Sequence, residues 1–163
     1  MNENIIEKFK KEDYDGIIII CSASSGASIK ITKFINEEFP DFGSIIREKC
    51  YVLKYNILGS SLIYNTEYGD IICCFAKFYH KAPSNNIDSF DCRISYLKEC
   101  LTDINYNYRG KKLLISDIFC GKSKPKEYIK QSNDIFFKEQ ITPILESILK
   151  DVVYDVHLRD SIS

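Results

Sequence analysis

Hydrophobic positions along the chain repeat with two different periods. Ile17 to Cys21 is an unbroken apolar run with Gly16 before it and a Ser/Gly cluster after it. Such a run predicts a strand buried on both faces, as in α/β sheets. Ser24, Ser25 and Gly26 break it, and a helix is expected from Ala27 onward. Ile31, Phe34, Ile35 and Phe39 form its apolar stripe, and Pro40 ends it. Ile45, Ile46, Cys50 and Leu53 predict a second helix. Residues 59–64 and 70–75 read as two strands of a hairpin around Glu67-Tyr68-Gly69. Ile94, Leu97, Leu101 and Ile104 predict an amphipathic helix over 87–106, and residues 111–118 a further strand. Ile141, Ile144, Leu145 and Ile148 mark one face of a helix over about 134–150, in which Pro143 is a kink or a restart. Residues 152–157 close the pattern as a short strand. Neither a repeat nor a low-complexity linker interrupts it, so residues 1–163 read as one α/β domain.

Composition narrows the function classes. A chain of 163 residues is the size of one ordinary domain. The 22 basic and 23 acidic side chains leave a net charge of -1, so there is no electrostatic case for general nucleic-acid or membrane-surface binding. The apolar run at 17–21 is far too short to cross a bilayer, and no signal-peptide pattern precedes it. A cytoplasmic location is expected, or a host cytosol if the source is viral. Isoleucine, lysine, asparagine and tyrosine are abundant, tryptophan is absent and alanine is scarce, a skew typical of AT-rich genomes. The seven cysteines include no Cys-x-x-Cys pair, and the histidines are only His80 and His157. Neither a metal site nor a cofactor is expected, and the cysteines read as reduced, small core residues.

Candidate chemistry gathers at two loops of one form, each following a buried strand. The first is Cys21-Ser22-Ala23-Ser24-Ser25-Gly26-Ala27-Ser28 and the second Ile118-Phe119-Cys120-Gly121-Lys122-Ser123-Lys124. Small residues there let an anion approach the backbone amides closely. In open α/β sheets ligands collect at the carboxyl ends of strands. Neither loop is a P-loop or a Gly-x-Gly-x-x-Gly turn, and both also read as plain strand–helix connections. Lys122, Lys124, Lys126 and Lys130 cluster beside the second loop, which favours an anionic ligand or is simply a solvated lysine-rich surface. Tyr128, Phe136 and Phe137 read as base-stacking or core aromatics. Lys77, at the end of the second hairpin strand, is a candidate nucleophile or base, and a Cys120–His80 thiolate pair is a further arrangement.

In this order the segments resemble a macro domain, the ADP-ribose-binding three-layer α/β/α fold with a mixed central sheet. More narrowly they resemble the branch holding ADP-ribose-1″-phosphate phosphatases and the glycohydrolases that act on glutamate-linked or DNA-linked ADP-ribose. Residues 15–21 resemble the strand entering the first ligand loop. Residues 26–40 are similar to the family's Gly-Ala/Lys-Gly-Ile-Ala…Phe…Lys-Phe-Pro helix, and 113–121 to its strand ending in Pro-Arg-Ile-Gly-Cys-Gly. Residues 142–146 and 152–156 resemble its last helix and strand.

The resemblance implies ligand contacts at Ser22, Ser24, Ser25, Gly26, Ala27 and Ser28. It implies further contacts at Cys120, Gly121, Lys122, Ser123 and Lys124, with Asn4 and Ile5 nearest the family's adenine contact. It implies catalytic roles for Lys77 and Asp117. The chain departs from the family in its serine-rich first loop, its lysine-rich second loop, the lack of an acid at 122–126 and the missing opening strand. Three readings follow. One is a pocket for ADP-ribose or a related nucleotide diphosphate without turnover. Another is a hydrolase acting on ADP-ribosyl or ADP-ribose phosphate groups, including those on an ADP-ribosylated macromolecule. The last is a degenerate macro fold that contacts a protein partner.

Overall fold

Four consecutive isoleucines place side chains alternately on the two sides of one strand, and the sheet is built around it. The computed structural model describes residues 4–24, 26–27, 35–79, 81–84 and 86–158. Strand β1 (Gly16–Ser22) is buried along its whole length, as the unbroken apolar run predicts. Ile17, Ile19 and Cys21 enter one core, while Ile18 and Ile20 enter the other. Burial of each such side chain contributes about 1.5–3 kcal/mol, so this strand anchors both layers.

The first core lies under α1 (Ile5–Lys11) and α2 (Phe42–Leu53), which contribute Ile6, Phe9, Phe42 and Ile46. The second lies under α3 (Phe90–Asn107) and two short C-terminal helices, α4 (Asn133–Phe136) and α5 (Thr142–Ile148). The result is a three-layer α/β/α arrangement. Sheet order is β3-β4-β1-β5-β6, with β3 (Ser61–Thr66), β4 (Gly69–Lys77), β5 (Lys112–Ser116) and β6 (Val153–His157). Strands β4, β1, β5 and β6 are parallel and β3 is antiparallel to β4, so the sheet is mixed. All four parallel strands therefore end on one edge.

The hairpin forms where the sequence places it, through Glu67 and Tyr68. Gly69 closes it at φ +137°, and a Cβ there would stand 2.8 Å from the carbonyl oxygens of Tyr14 and Asp15. Helix α3 starts at Phe90 rather than near Ile87, because the Ser89 side chain accepts the Cys92 amide and caps it.

Two expectations are corrected, the helix at Ala27 and the end of the strand over 111–118. The chain does not turn helical at Ala27: Gly26 and Ala27 fold back as a two-residue strand β2, antiparallel to the end of β1. Residues 35–38 are helical, and the segment 28–34, with most of the expected stripe, lies outside the described residues. The C-terminal helical stretch runs without a break from Asn133 to Ile148, as expected, and widens into a π turn over Phe137–Ile141 before α5. Pro143 sits in the first turn of α5, where its missing N–H is tolerated, and the wider turn upstream absorbs its ring. Residues 111–118 pair only as far as Ser116.

All seven cysteines are present as thiols, six of them buried. Among the described residues no helix is long and apolar enough to cross a membrane, and no cluster of His, Cys, Asp and Glu has the makings of a metal site.

Candidate functional site

Because the parallel strands end together, the segments after β1, β4 and β5 meet at one edge of the sheet. An irregularity between Cys21 and Ser22 shifts the pairing so that Ser22 lies opposite Lys77. From there the backbone of residues 77–79 acts as a junction. The Lys77 carbonyl accepts the Ala23 amide at 2.9 Å, and the Phe78 carbonyl accepts the Ser24 amide at 3.0 Å. Ser22 Oγ donates to the same Phe78 carbonyl and lies 2.9 Å from Ser24 Oγ.

The Lys77 side chain crosses to the second loop. It is 5% exposed, and its Nζ donates to Ser123 Oγ at 2.9 Å, a contact spanning 46 residues of sequence. The structure thus brings together Lys77, the Ser22–Ser24 loop and the Cys120–Lys124 loop, all singled out in the sequence. Asp117 is buried one residue beyond β5, at the same edge.

The second loop takes a strained path. Phe119 has φ +57° and Gly121 φ +62°, and a left-handed conformation at a bulky aromatic residue is unusual. Several groups expected to face a ligand are used within the loop. The Gly121 amide donates to Asn133 Oδ1 at 3.1 Å, and the Ser123 and Lys124 amides close turns onto Cys120 and Gly121. Lys124 is buried, with Nζ donating to the Gln131 carbonyl at 2.6 Å, whereas Lys122, Lys126 and Lys130 are exposed. The ammonium groups of Lys77 and Lys124 thus lie inside this edge, each held by a hydrogen bond, while Lys122 stays in water outside.

Other expected residues have structural uses. Asn4 caps α1, accepting the Glu7 amide at 2.9 Å, and Ile5 packs in the first core. Ser25, Ser28 and His80 lie outside the described residues. Phe136 and Phe137 are core residues, and Phe136 packs with Phe90 and Tyr128. Burial pushes the Cys21 thiol well up, reinforced by its hydrogen bond with Cys73, so Cys21 is a neutral core group at this edge and not a thiolate nucleophile.

Two features were missed by sequence reading. One is a groove of about 500 Å³ beside the first loop, lined by Ser24, Arg47, Tyr51, Lys54, Tyr55 and Phe78. Tyr55 stacks on Phe78 with ring centroids 4.6 Å apart and planes 20° from parallel. That volume lies within the range of small-molecule sites. The other is a buried ion pair, Asp88 with Arg93, at 1% and 0% side-chain exposure. Its signal was present in the sequence: Arg93 falls on the same helical face as Leu97, Leu101 and Ile104, where an apolar residue belongs.

No protein-family model matches this chain, and no curated protein matches it by sequence. Solved structures do match in fold. The macrodomain of Mycobacterium tuberculosis DarG superposes with a TM-score of 0.59 at 14% identity, covering 91% of each chain. The macrodomain of Thermus aquaticus DarG gives 0.60 at 15% identity, over 95% of this chain and 93% of its own. Thermosipho africanus DarTG, solved in complex with ADP-ribose, gives 0.65 at 12% identity, over 91% of this chain and 39% of its own. Across nearly all of its length the chain therefore carries the macrodomain fold, in a sequence far removed from those structures.

Proposed function

We propose that the chain binds ADP-ribose or a closely related nucleotide diphosphate at the edge where β1, β4 and β5 end. The observation that carries this reading is the Lys77–Ser123 contact, which joins the two loops over the carboxyl ends of parallel strands. An ammonium group there, largely withdrawn from water, attracts a diphosphate more strongly than a solvated lysine does. The ligand's diphosphate and distal ribose would lie between residues 24–27 and 120–123. A structure of like fold, the Thermosipho africanus protein, was solved with ADP-ribose, which supports the choice of nucleotide.

Titration calorimetry and thermal unfolding with ADP-ribose test the proposal. Binding is expected to raise the unfolding free energy by about 2.7 kcal/mol at a hundredfold excess over Kd. Neither heat nor a thermal shift at millimolar ligand would overturn it and leave the protein-interaction reading in its place.

A second reading, removal of ADP-ribosyl or phosphate groups, is favoured by one observation. The candidate catalytic residues Lys77 and Asp117 are both buried at this edge, where positioning and a low dielectric favour chemistry. Release of ADP-ribose from ADP-ribosylated protein or DNA, compared between wild type, Lys77→Ala and Asp117→Ala, tests it. Equal release by all three proteins removes both residues from the chemistry.

A further inference from the structure

We infer that Asp88 and Arg93 are positioning residues: their buried ion pair sets the backbone of residues 77–79, and through it both the first loop and the reach of Lys77. The pair lies outside the two ligand loops, yet its hydrogen bonds converge on the junction they share. Asp88 Oδ1 accepts the Phe78 amide at 2.8 Å, and Oδ2 accepts the Tyr79 amide at 3.2 Å. Arg93 holds the same carboxylate through Nε at 2.9 Å and Nη2 at 2.7 Å. Its Nη2 also reaches the carbonyls of Tyr79 at 3.3 Å and Lys81 at 2.8 Å, so its two N–H groups are shared among three acceptors. The strap leaving β4 is thus gripped at two amides and two carbonyls.

On the opposite side, the same strap residues hold the first loop. The Lys77 and Phe78 carbonyls take the Ala23 and Ser24 amides and the Ser22 hydroxyl. A peptide plane fixed at its N–H is fixed at its carbonyl too, because the amide is rigid. Displacing Phe78 or Tyr79 therefore moves the acceptors on which residues 22–24 depend, and it moves the Phe78 ring that walls the groove. Lys77 leads directly into this strap, so its line to Ser123 shifts as well. The geometry also explains why arginine is needed. One planar guanidinium spans a carboxylate and two carbonyls, whereas a lysine ammonium offers a single point of contact.

The affinity arm of the test rests on the nucleotide-binding reading; the other arm does not. Wild type is compared with Arg93→Lys and with the double variant Asp88→Asn/Arg93→Met, which leaves no bare buried charge. Amide hydrogen exchange is read at Ala23 and Ser24, with amides in α2 and β5 as internal controls, under conditions where every protein is fully folded. ADP-ribose affinity is measured by calorimetry under the same conditions.

Exchange at Ala23 and Ser24 is expected to accelerate about tenfold or more beyond any acceleration shared by the α2 and β5 controls, in both variants. Affinity is expected to fall about tenfold, as for one or two hydrogen bonds no longer aligned. A role in bulk stability alone would accelerate the controls as much as Ala23 and Ser24 and, with the protein fully folded, leave affinity at its wild-type value. Wild-type protection at Ala23 and Ser24 overturns the inference, and so does wild-type affinity in a variant that has lost that protection. If wild type itself binds no ADP-ribose, the nucleotide reading fails and the exchange arm still decides the role of the pair.

Discussion

Arg93→Met breaks a fully buried ion pair and is therefore a demanding substitution for the stability of this fold. It leaves the Asp88 carboxylate 1% exposed, with its charge uncompensated and, among the described residues, only the Phe78 and Tyr79 amides as donors. Removing one partner of a buried ion pair typically costs about 3–5 kcal/mol, a large part of a total stability of about 5–15 kcal/mol. With a urea dependence of roughly 2 kcal/mol per molar, the unfolding midpoint should fall by about 1.5–2.5 M. Adding Asp88→Asn removes the charge yet retains a carbonyl acceptor for the Phe78 amide. The double variant is therefore expected to be more stable than Arg93→Met alone by roughly 1–2 kcal/mol. Urea unfolding followed by circular dichroism measures both differences. A loss under about 1 kcal/mol for Arg93→Met, or a double variant no more stable than the single, would refute the view that burial makes this pair interdependent.

Gly69→Ala places a Cβ 2.8 Å from two carbonyl oxygens at a φ of +137°, so a loss of about 2–3 kcal/mol is expected, seen as a Tm lowered by roughly 5–10 °C. Burial, helped by the hydrogen bond to Asp155, pushes the Tyr14 hydroxyl up to about 12. The native state therefore holds this proton more tightly than the unfolded chain. The stability is complete below about pH 10 and is lost as pH rises through about 12, by at most roughly 2–3 kcal/mol. Tyr14→Phe should flatten the fall in stability between those limits, leaving the part due to Tyr108, whose hydroxyl burial also raises; an unchanged slope counts against it. An aromatic disulfide reagent should label native protein at Cys92 alone, the other six thiols reacting only on unfolding; rapid labelling of any buried thiol would contradict the packing.

Much of the layer structure is legible in side-chain periodicity. The continuous run at 17–21 reads as a doubly buried strand, and the hairpin and α3 stand where alternation and helical spacing place them. The failures have physical causes. Pairing of Gly26–Ala27 with the end of β1 depends on a partner strand, not on the propensity of those two residues. The cap that Asn4 makes on α1 went unread, although a short polar side chain before an apolar turn is its usual signal. The basic cluster could be seen in the sequence, but not that Lys124 turns inward to the Gln131 carbonyl while Lys122 stays in water.

The sequence alone determined most of the strands and helices, that residues 17–21 are buried on two sides, and that two small-residue loops follow strands. Those properties are local, set by spacings of two to four residues. Only the tertiary structure decided how the pieces serve one another. It carries Lys77 to Ser123 across 46 residues, pairs the Gly121 amide with Asn133, and buries Asp88 and Arg93 beside the strap that follows Lys77. These outcomes depend on which strands lie side by side and on where a desolvated polar group finds a partner. Pairing across the sheet settles both, and it leaves no period in the chain.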